Sequence, residues 1–267
     1  MSSFLSRIAV AIVGLPIVLG LVWAGGWWLF VLLAIAGVIA VHEFVTMARP
    51  LRPLAPAAYI GTFLALLGAQ RSGVVWMLAG FLSSFVVAFA LQAVSRTRAP
   101  ATAAVGSTIL GAAWIGLGLA FLLLLRREEV EPRLLAFTVL LTVFAADTFA
   151  YFAGRLFGRH KMAPMLSPGK TWEGFVVGSL VGLFVAFISL YSDRDHYVKI
   201  WEAVVLGVVV VLVAVAGDLF ESMLKRDMQV KDTGRLLGGH GGVLDRVDAL
   251  LFAAPAAYFL VLAFGYS

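Results

Sequence analysis

"IWEAVVLGVVVVLVAVAGDLFESMLKR", residues 200–226, holds a membrane span and a reactive helix end in one line. From Ile200 to Ala216 the only charge is Glu202. An apolar run of about 20 residues is what a helix needs to cross the hydrocarbon of a bilayer. After Gly217 the composition turns polar. Asp218, Glu221, Ser222 and Lys225 follow at i, i+3, i+4 and i+7. That spacing puts them on one face of a helix, while Leu219, Phe220, Met223 and Leu224 fill the rest. Acidic groups at membrane depth are expensive and turn towards a polar cavity. The plainer alternative is a solvated helix end with ordinary surface ion pairs.

The rest of the chain is equally apolar. It is 62% hydrophobic and 13% charged over 267 residues, with a mean hydropathy of +1.00. Soluble domains run near 25% charged, so this composition points to an all-α, polytopic integral membrane protein. There is no cysteine, which removes disulfides, thiolate metal ligands and thiol nucleophiles. The net charge of +5 is accounted for by loop Lys and Arg that set topology. No nucleic-acid partner is expected.

Nine spans are expected, near 8–24, 27–47, 56–70, 73–94, 104–125, 134–154, 171–191, 200–224 and 247–265. The first is read as a retained transmembrane helix, because a second apolar run follows at once. The whole chain, 1–267, reads as one transmembrane domain, with N-terminal spans over 1–130 and the chemistry-bearing spans over 131–267. With a cytoplasmic N-terminus, 14 of the 20 Lys and Arg residues fall on inside segments and six outside. The positive-inside rule favours that orientation. It puts the segment between the last two spans on the cytoplasmic side and the C-terminus outside.

That segment, "GDLFESMLKRDMQVKDTGRLLGGHGGVLDRVD", residues 217–248, contains 11 of the 35 charged residues. Asp245 and Asp248 stand at i, i+3 where the last helix begins. Acids suit a helix N-terminus in any case. Asp218 and Asp245 also bracket one loop, so two carboxylates from neighbouring helices become candidate Mg²⁺ ligands. That ion uses one or two carboxylates and completes its shell with water and phosphate oxygens. Between them, four glycines surround His240, and Lys225, Arg226, Lys231 and Arg235 add positive charge. Such a loop can bring backbone N–H groups close to an anion. Gly241 and Gly242 are therefore expected to tolerate alanine poorly, and Gly207, within a span, to tolerate it better. His240 has no partner at zinc spacing.

Two further places stand out. In "SPGKTWEG", residues 167–174, the Walker pattern fails because Pro164 stands where its first glycine should be. Ser167 and Pro168 read instead as an N-cap and first helical residue, and Lys170 makes this helix start a candidate anion site. A cationic anchor at the headgroups is the alternative. In "AADTFAYFAG", Asp147 is an acid within a span, which makes it a functional-site candidate; pairing with an Arg or Lys for structure is the alternative. Glu43, beside His42 near the end of the second span, is a weaker case of the same kind.

"SMLKRDMQVKDTGRLLGGHGGVLDRVD", residues 222–248, resembles the signature of the CDP-diacylglycerol synthases, also called phosphatidate cytidylyltransferases. Ser222, Lys225, Arg226, Lys231, Asp232, Gly234, His240, Gly241, Gly242, Asp245, Arg246 and Asp248 stand at matching places. "SPGKTWEG" and "DTFAYFAG" resemble family segments too. Gly238 departs from the pattern, standing where many relatives have proline. The resemblance implies a bacterial cytoplasmic-membrane enzyme whose partners are CTP, phosphatidate and the bilayer. It implies a reaction at the cytoplasmic membrane edge that gives CDP-diacylglycerol and pyrophosphate. The cofactor implied is Mg²⁺, with a second metal ion and a homodimer both compatible with the sequence. On this reading Asp218, Asp245 and Lys225 are catalytic, with Asp218 and Asp245 as metal ligands and Asp147 as a candidate third. Ser167, Lys170, Ser222, Arg226, Lys231, Asp232, His240, Gly241, Gly242, Arg246 and Asp248 contact substrate.

Two rivals are weighed against this. A CDP-alcohol phosphotransferase should carry a D-G-x-x-A-R arrangement and two further spaced Asp residues, which this chain lacks. An ion-coupled transporter using Asp147 and Asp218 should show a two-fold internal repeat or broken helices, and neither is evident.

Overall fold

The computed structural model describes residue 14 and residues 16–95, 100–127, 132–191, 199–234, 236 and 241–265. The chain forms two compact units. One comprises Met1–Leu124 with Asp227–Val247, the other Leu125–Arg226 with Asp248–Ser267.

In the first unit, helix α1 covers residues 16–24. It is followed by α2 (Gly26–Met47), a 3₁₀ turn (Arg49–Leu51), α3 (Ala55–Ser72), α4 (Val74–Val94) and α5 (Ala101–Gly111). A π-helical stretch, Ala112–Leu117, then leads into α6 (Gly118–Leu125). Helix α5 is tied to the chain before α3 by Leu54 N–H, which donates to Thr108 Oγ1 at 2.7 Å. Phe44 of α2 meets Trp114 edge to face, with centroids 6.3 Å apart.

The second unit opens with α7 (Pro132–Phe157). A short hairpin follows, β1 (Lys161–Ala163) and β2 (Ser167–Thr171), and then α8 (Trp172–Tyr191) and α9 (Ile200–Asp227). The last helix is α10 (Leu244–Ala263). Helices α7 and α8 pack so closely that a Cβ on Gly178 would come within 2.5 Å of the Ala146 carbonyl oxygen. In lipid, small residues at such contacts let backbones approach and supply the packing that holds helices together.

Seven helices among the described residues are long and apolar enough to cross a membrane: Gly26–Met47, Val74–Val94, Ala101–Leu125, Arg133–Phe157, Trp172–Leu190, Ile200–Asp227 and Leu244–Ala263. The segment expected at 56–70 is helical as α3, but Pro56, Gln70 and Arg71 dilute its apolar character. The span expected at 8–24 is described only at residue 14 and from residue 16 on. Trp28, Val75, Val86, Phe89, Leu180 and Phe184 are all exposed. In water such a surface would aggregate, and in a bilayer it faces lipid. The chain is an all-α polytopic membrane protein, with a two-stranded hairpin among the described residues as an addition to the expected helices.

The hairpin also corrects the expected start of the seventh span. Ser167 is no N-cap. It lies in β2, opposite Ala163, and Lys161 lies opposite Thr171. Pro168 has no N–H to give, and a two-stranded pair tolerates that where a sheet interior would not. The helix starts at Trp172, and its cap is Thr171, whose Oγ1 accepts from Gly174 N–H at 3.2 Å.

Candidate active site

In the second unit the polar stripe of α9 meets residues from two other elements. Asp218 Oδ2 is 2.6 Å from Nζ of Lys170, which projects from β2. One turn on, Glu221 is 1% exposed, and its Oε2 is 2.6 Å from Nζ of Lys225. Ser222, next to Glu221, is also buried. From α10, the buried Asp248 has Glu221 and Asp218 as acidic neighbours. The result is a cluster of three carboxyl groups and two ammonium groups. A buried acid persists only when paired and hydrogen-bonded, and here Lys170 and Lys225 supply the pairing. Close crossing of α9 and α10 is permitted by Gly217, whose missing Cβ would lie 2.9 Å from the Asp248 carbonyl oxygen.

Lys170 is held in place by contacts that the sequence reading did not find. Glu173, in the first turn of α8, accepts from Arg159 N–H at 3.1 Å and from His160 N–H at 3.2 Å. Its Oε1 also lies 2.6 Å from His160 Nδ1. Trp172 N–H donates to the His160 carbonyl at 2.9 Å. These bonds close the base of the hairpin. Its turn is held by Arg226, whose Nε donates to the Leu166 carbonyl at 3.1 Å. Arg226 therefore serves the hairpin that carries Lys170. The signal for the clasp was the acid in "TWEG", directly after the cap. Asp147 lies on an exposed face of α7.

In the first unit, two carboxylates engage the described residues of the segment 227–247. Asp245 Oδ2 accepts from Gly242 N–H at 2.7 Å and from Thr233 N–H at 3.1 Å. Two distant points of the loop are thereby drawn to one carboxylate, which still has lone pairs to offer. Glu43 of α2 does the same from farther away. It is buried. Its Oε1 accepts from Val243 N–H at 3.1 Å and its Oε2 from Leu244 N–H at 2.8 Å. These donors open α10, where N–H groups lack helical acceptors.

The same contacts explain three glycines. A Cβ on Gly234 or on Gly242 would run into the Glu43 carboxylate. Gly241 has φ +79, a region L-residues rarely enter, and its Cβ would also press on Asp245 Oδ2. Lys231, Asp232 and Arg246 are exposed in this segment. His240, expected to contact substrate, lies outside the described residues, as does Arg235. Among the described residues, no three Asp, Glu or His side chains are already arranged to hold a metal ion.

A family model described as "Cytidylyltransferase family" matches residues 5–264. Among curated relatives, "Phosphatidate cytidylyltransferase" of Staphylococcus haemolyticus is 30% identical over 260 residues, covering 96% of this chain and 98% of that protein. The protein of the same name from Mycobacterium bovis is 36% identical, covering 93% of this chain and 85% of its own. That of Haemophilus influenzae is 47% identical over a shorter stretch of 130 residues, 46% of this chain and 45% of its own.

Proposed function

Because the chain belongs to the cytidylyltransferase family, we propose that it transfers the cytidylyl group of CTP to phosphatidate, giving CDP-diacylglycerol and pyrophosphate. The observation that carries this reading is the alternation of ammonium and carboxylate groups formed by Lys170, Asp218, Lys225, Glu221 and Asp248. Such a group suits substrates that carry phosphates and a cation together. It is built from elements of an apolar, membrane-spanning unit, where a lipid phosphate can reach it from the bilayer.

The reaction joins a phosphatidate phosphate oxygen to the α-phosphorus of CTP and breaks the bond from that phosphorus to the β-phosphate. Pyrophosphate leaves with the electron pair. A phosphomonoester has its second pKa near about 6, so at neutral pH the attacking oxygen is already largely ionised. No strong general base is needed. The work falls to positioning and to neutralising charge. Lys170 and Lys225 are the cations nearest the cluster and bind phosphate oxygens. Arg226 fixes the hairpin that presents Lys170. In the other unit, taken by itself, Asp245 holds together the loop carrying Lys231, Asp232, Gly241, Gly242 and Arg246, a candidate phosphate-binding loop in its own right.

The residues present fit Mg²⁺. Asp248 and Glu221 are neighbouring carboxyl groups in a buried place, an arrangement whose like charges a bound cation would relieve. The donors are all oxygen, as that ion prefers. Asp218 and Asp248 would hold it, two carboxylates being enough where water and phosphate oxygens complete the shell; the sequence also offers Asp245 and Asp147. When bound, the ion would supply charge neutralisation for the triphosphate and the leaving pyrophosphate. The distribution of Lys and Arg supports a cytoplasmic N-terminus and a reactive end on the same side of a bacterial membrane, where CTP is available.

The test is direct. Purified protein in mixed micelles should release pyrophosphate and form CDP-diacylglycerol only when CTP, phosphatidate and Mg²⁺ are all present. EDTA should stop the reaction and added Mg²⁺ restore it. Absence of the lipid product under those conditions overturns the activity, and an undiminished rate in EDTA overturns the metal.

A further inference from the structure

We infer that Glu43 is a positioning residue for the nucleotide-binding loop, one that holds the start of α10 in register with Thr233 and Gly234. The inference rests on the cytidylyltransferase reading for its kinetic part and on geometry for the rest. An acid inside an apolar span is costly unless something uses it. Glu43 is buried, and both of its oxygens are engaged by backbone N–H groups, those of Val243 and Leu244. Charge-assisted bonds of this kind are about twice as strong as neutral ones. Both donors sit at a helix N-terminus, where negative charge is favoured.

The loop is shaped around this carboxylate. Gly234 and Gly242 stand on either side of it, and at each a Cβ would collide with Glu43 itself. Neither has the positive φ that would demand glycine on backbone grounds, whereas Gly241 does. Two glycines of the polar segment are therefore explained by a side chain about 200 residues earlier, not by a ligand. Between them run Asp245's bonds to Thr233 and Gly242. Glu43 and Asp245 thus fix neighbouring peptide groups of one loop. Releasing Glu43 should loosen the frame on which Lys231, Asp232 and Arg246 are displayed.

The experiment compares Glu43→Ala, Glu43→Gln, Gly242→Ala and the double variant Glu43→Ala/Gly242→Ala in the purified full-length protein. Backbone hydrogen exchange at Val243 and Leu244 is one readout, and KM and kcat for each substrate are the other. Glu43→Ala should speed exchange at both amides at least tenfold and raise KM for CTP at least tenfold, while KM for phosphatidate changes less than threefold. Glu43→Gln keeps one acceptor and should fall between wild type and alanine in both readouts. Gly242→Ala should impair the wild type but add less than twofold to Glu43→Ala, because the clash is with the removed side chain. Unchanged exchange in Glu43→Ala overturns the inference. So does an equal rise in KM for both substrates, or full additivity in the double variant. A Glu43→Gln protein that needs far more Mg²⁺ with exchange unchanged would make Glu43 a metal ligand and also overturn it. If wild type makes no CDP-diacylglycerol, the functional reading fails and the kinetic part falls with it, while exchange alone decides whether Glu43 holds the loop.

Discussion

Lys170 Nζ lies 2.6 Å from Asp218 Oδ2, joining the β-hairpin before α8 to the polar end of α9. Both side chains are partly shielded, at 21% and 31% exposure. This is more protected than a surface pair, and the two residues belong to separate sequence motifs. Removing either should leave the other mispaired beside Glu221 and Asp248. We expect Asp218→Asn and Lys170→Ala each to lower turnover by about 100-fold or more, the scale of losing a charge-stabilising group in a reaction site. The double variant should lose much less than the product of the two. Steady-state kinetics on matched, membrane-inserted protein checks this. Strict multiplicativity would mean that the two residues act independently.

Lys225 and Glu221 give a second, contrasting prediction. Glu221 is 1% exposed and adjoins Asp248. Lys225→Met removes the cation and strands two acids, and breaking such a buried pair costs about 3–5 kcal/mol. Glu221→Gln removes the charge instead and keeps the hydrogen-bonding shape. Thermal unfolding in detergent should therefore show a large drop for Lys225→Met and a small one for Glu221→Gln, although both lose activity. The opposite order of stability would show that the ammonium is not what sustains the buried carboxyls.

The polar stripe of α9 was legible because helical spacing is a local property. Asp218, Glu221, Ser222 and Lys225 share a face whatever surrounds them. What they meet was not legible. Lys170 was noticed as a cation near a helix start, but Ser167–Pro168 looked like that start. The strand pairing depends on Lys161–Ala163 and on the Glu173 clasp, which spacing within "SPGKT" does not reveal. Glu43 is the extreme case, since its partners are Val243 and Leu244. Its only trace was a charge in an apolar run, and no periodicity connects it to the loop. The glycines were noticed for their density, but three different reasons were hidden in it: a positive φ at Gly241, the Glu43 carboxylate at Gly234 and Gly242, and helix crossing at Gly217.

Sidedness rests on the distribution of Lys and Arg, fourteen against six. The chain has no native cysteine, so single-cysteine variants report single places. Ser95→Cys, just after α4, should be shielded from an impermeant thiol reagent on intact cells. Ser192→Cys, in the segment between α8 and α9, should be labelled. Disrupting the membrane should make the Ser95→Cys variant reactive. The reverse pattern would put the reactive end on the side away from cytosolic CTP.

The last prediction separates two adjacent glycines that the sequence treats alike. Gly241 has φ +79, so alanine there is strained wherever its methyl points, by about 1–2 kcal/mol. It also meets Asp245 Oδ2, 2.7 Å from the added Cβ. Gly242 lacks a positive φ, and its alanine is opposed by Glu43. Shortening Glu43 should therefore rescue Gly242→Ala and leave Gly241→Ala impaired. The control also needs choosing with care. Gly207, expected to tolerate alanine because it lies in a span, is tightly packed, with Leu183 Cδ1 at 2.8 Å and Ala186 Cβ at 2.9 Å from an added Cβ. Gly106 has nothing within 4 Å, and Gly106→Ala should be close to neutral. CTP turnover and thermal stability, measured on equal amounts of folded protein, should rank Gly106→Ala nearest wild type and Gly207→Ala below it. The two loop variants should lose the most CTP use for each degree of stability lost. If Glu43→Ala rescued both loop glycines equally, positive φ at Gly241 would have no energetic weight, and the carboxylate alone would account for the motif.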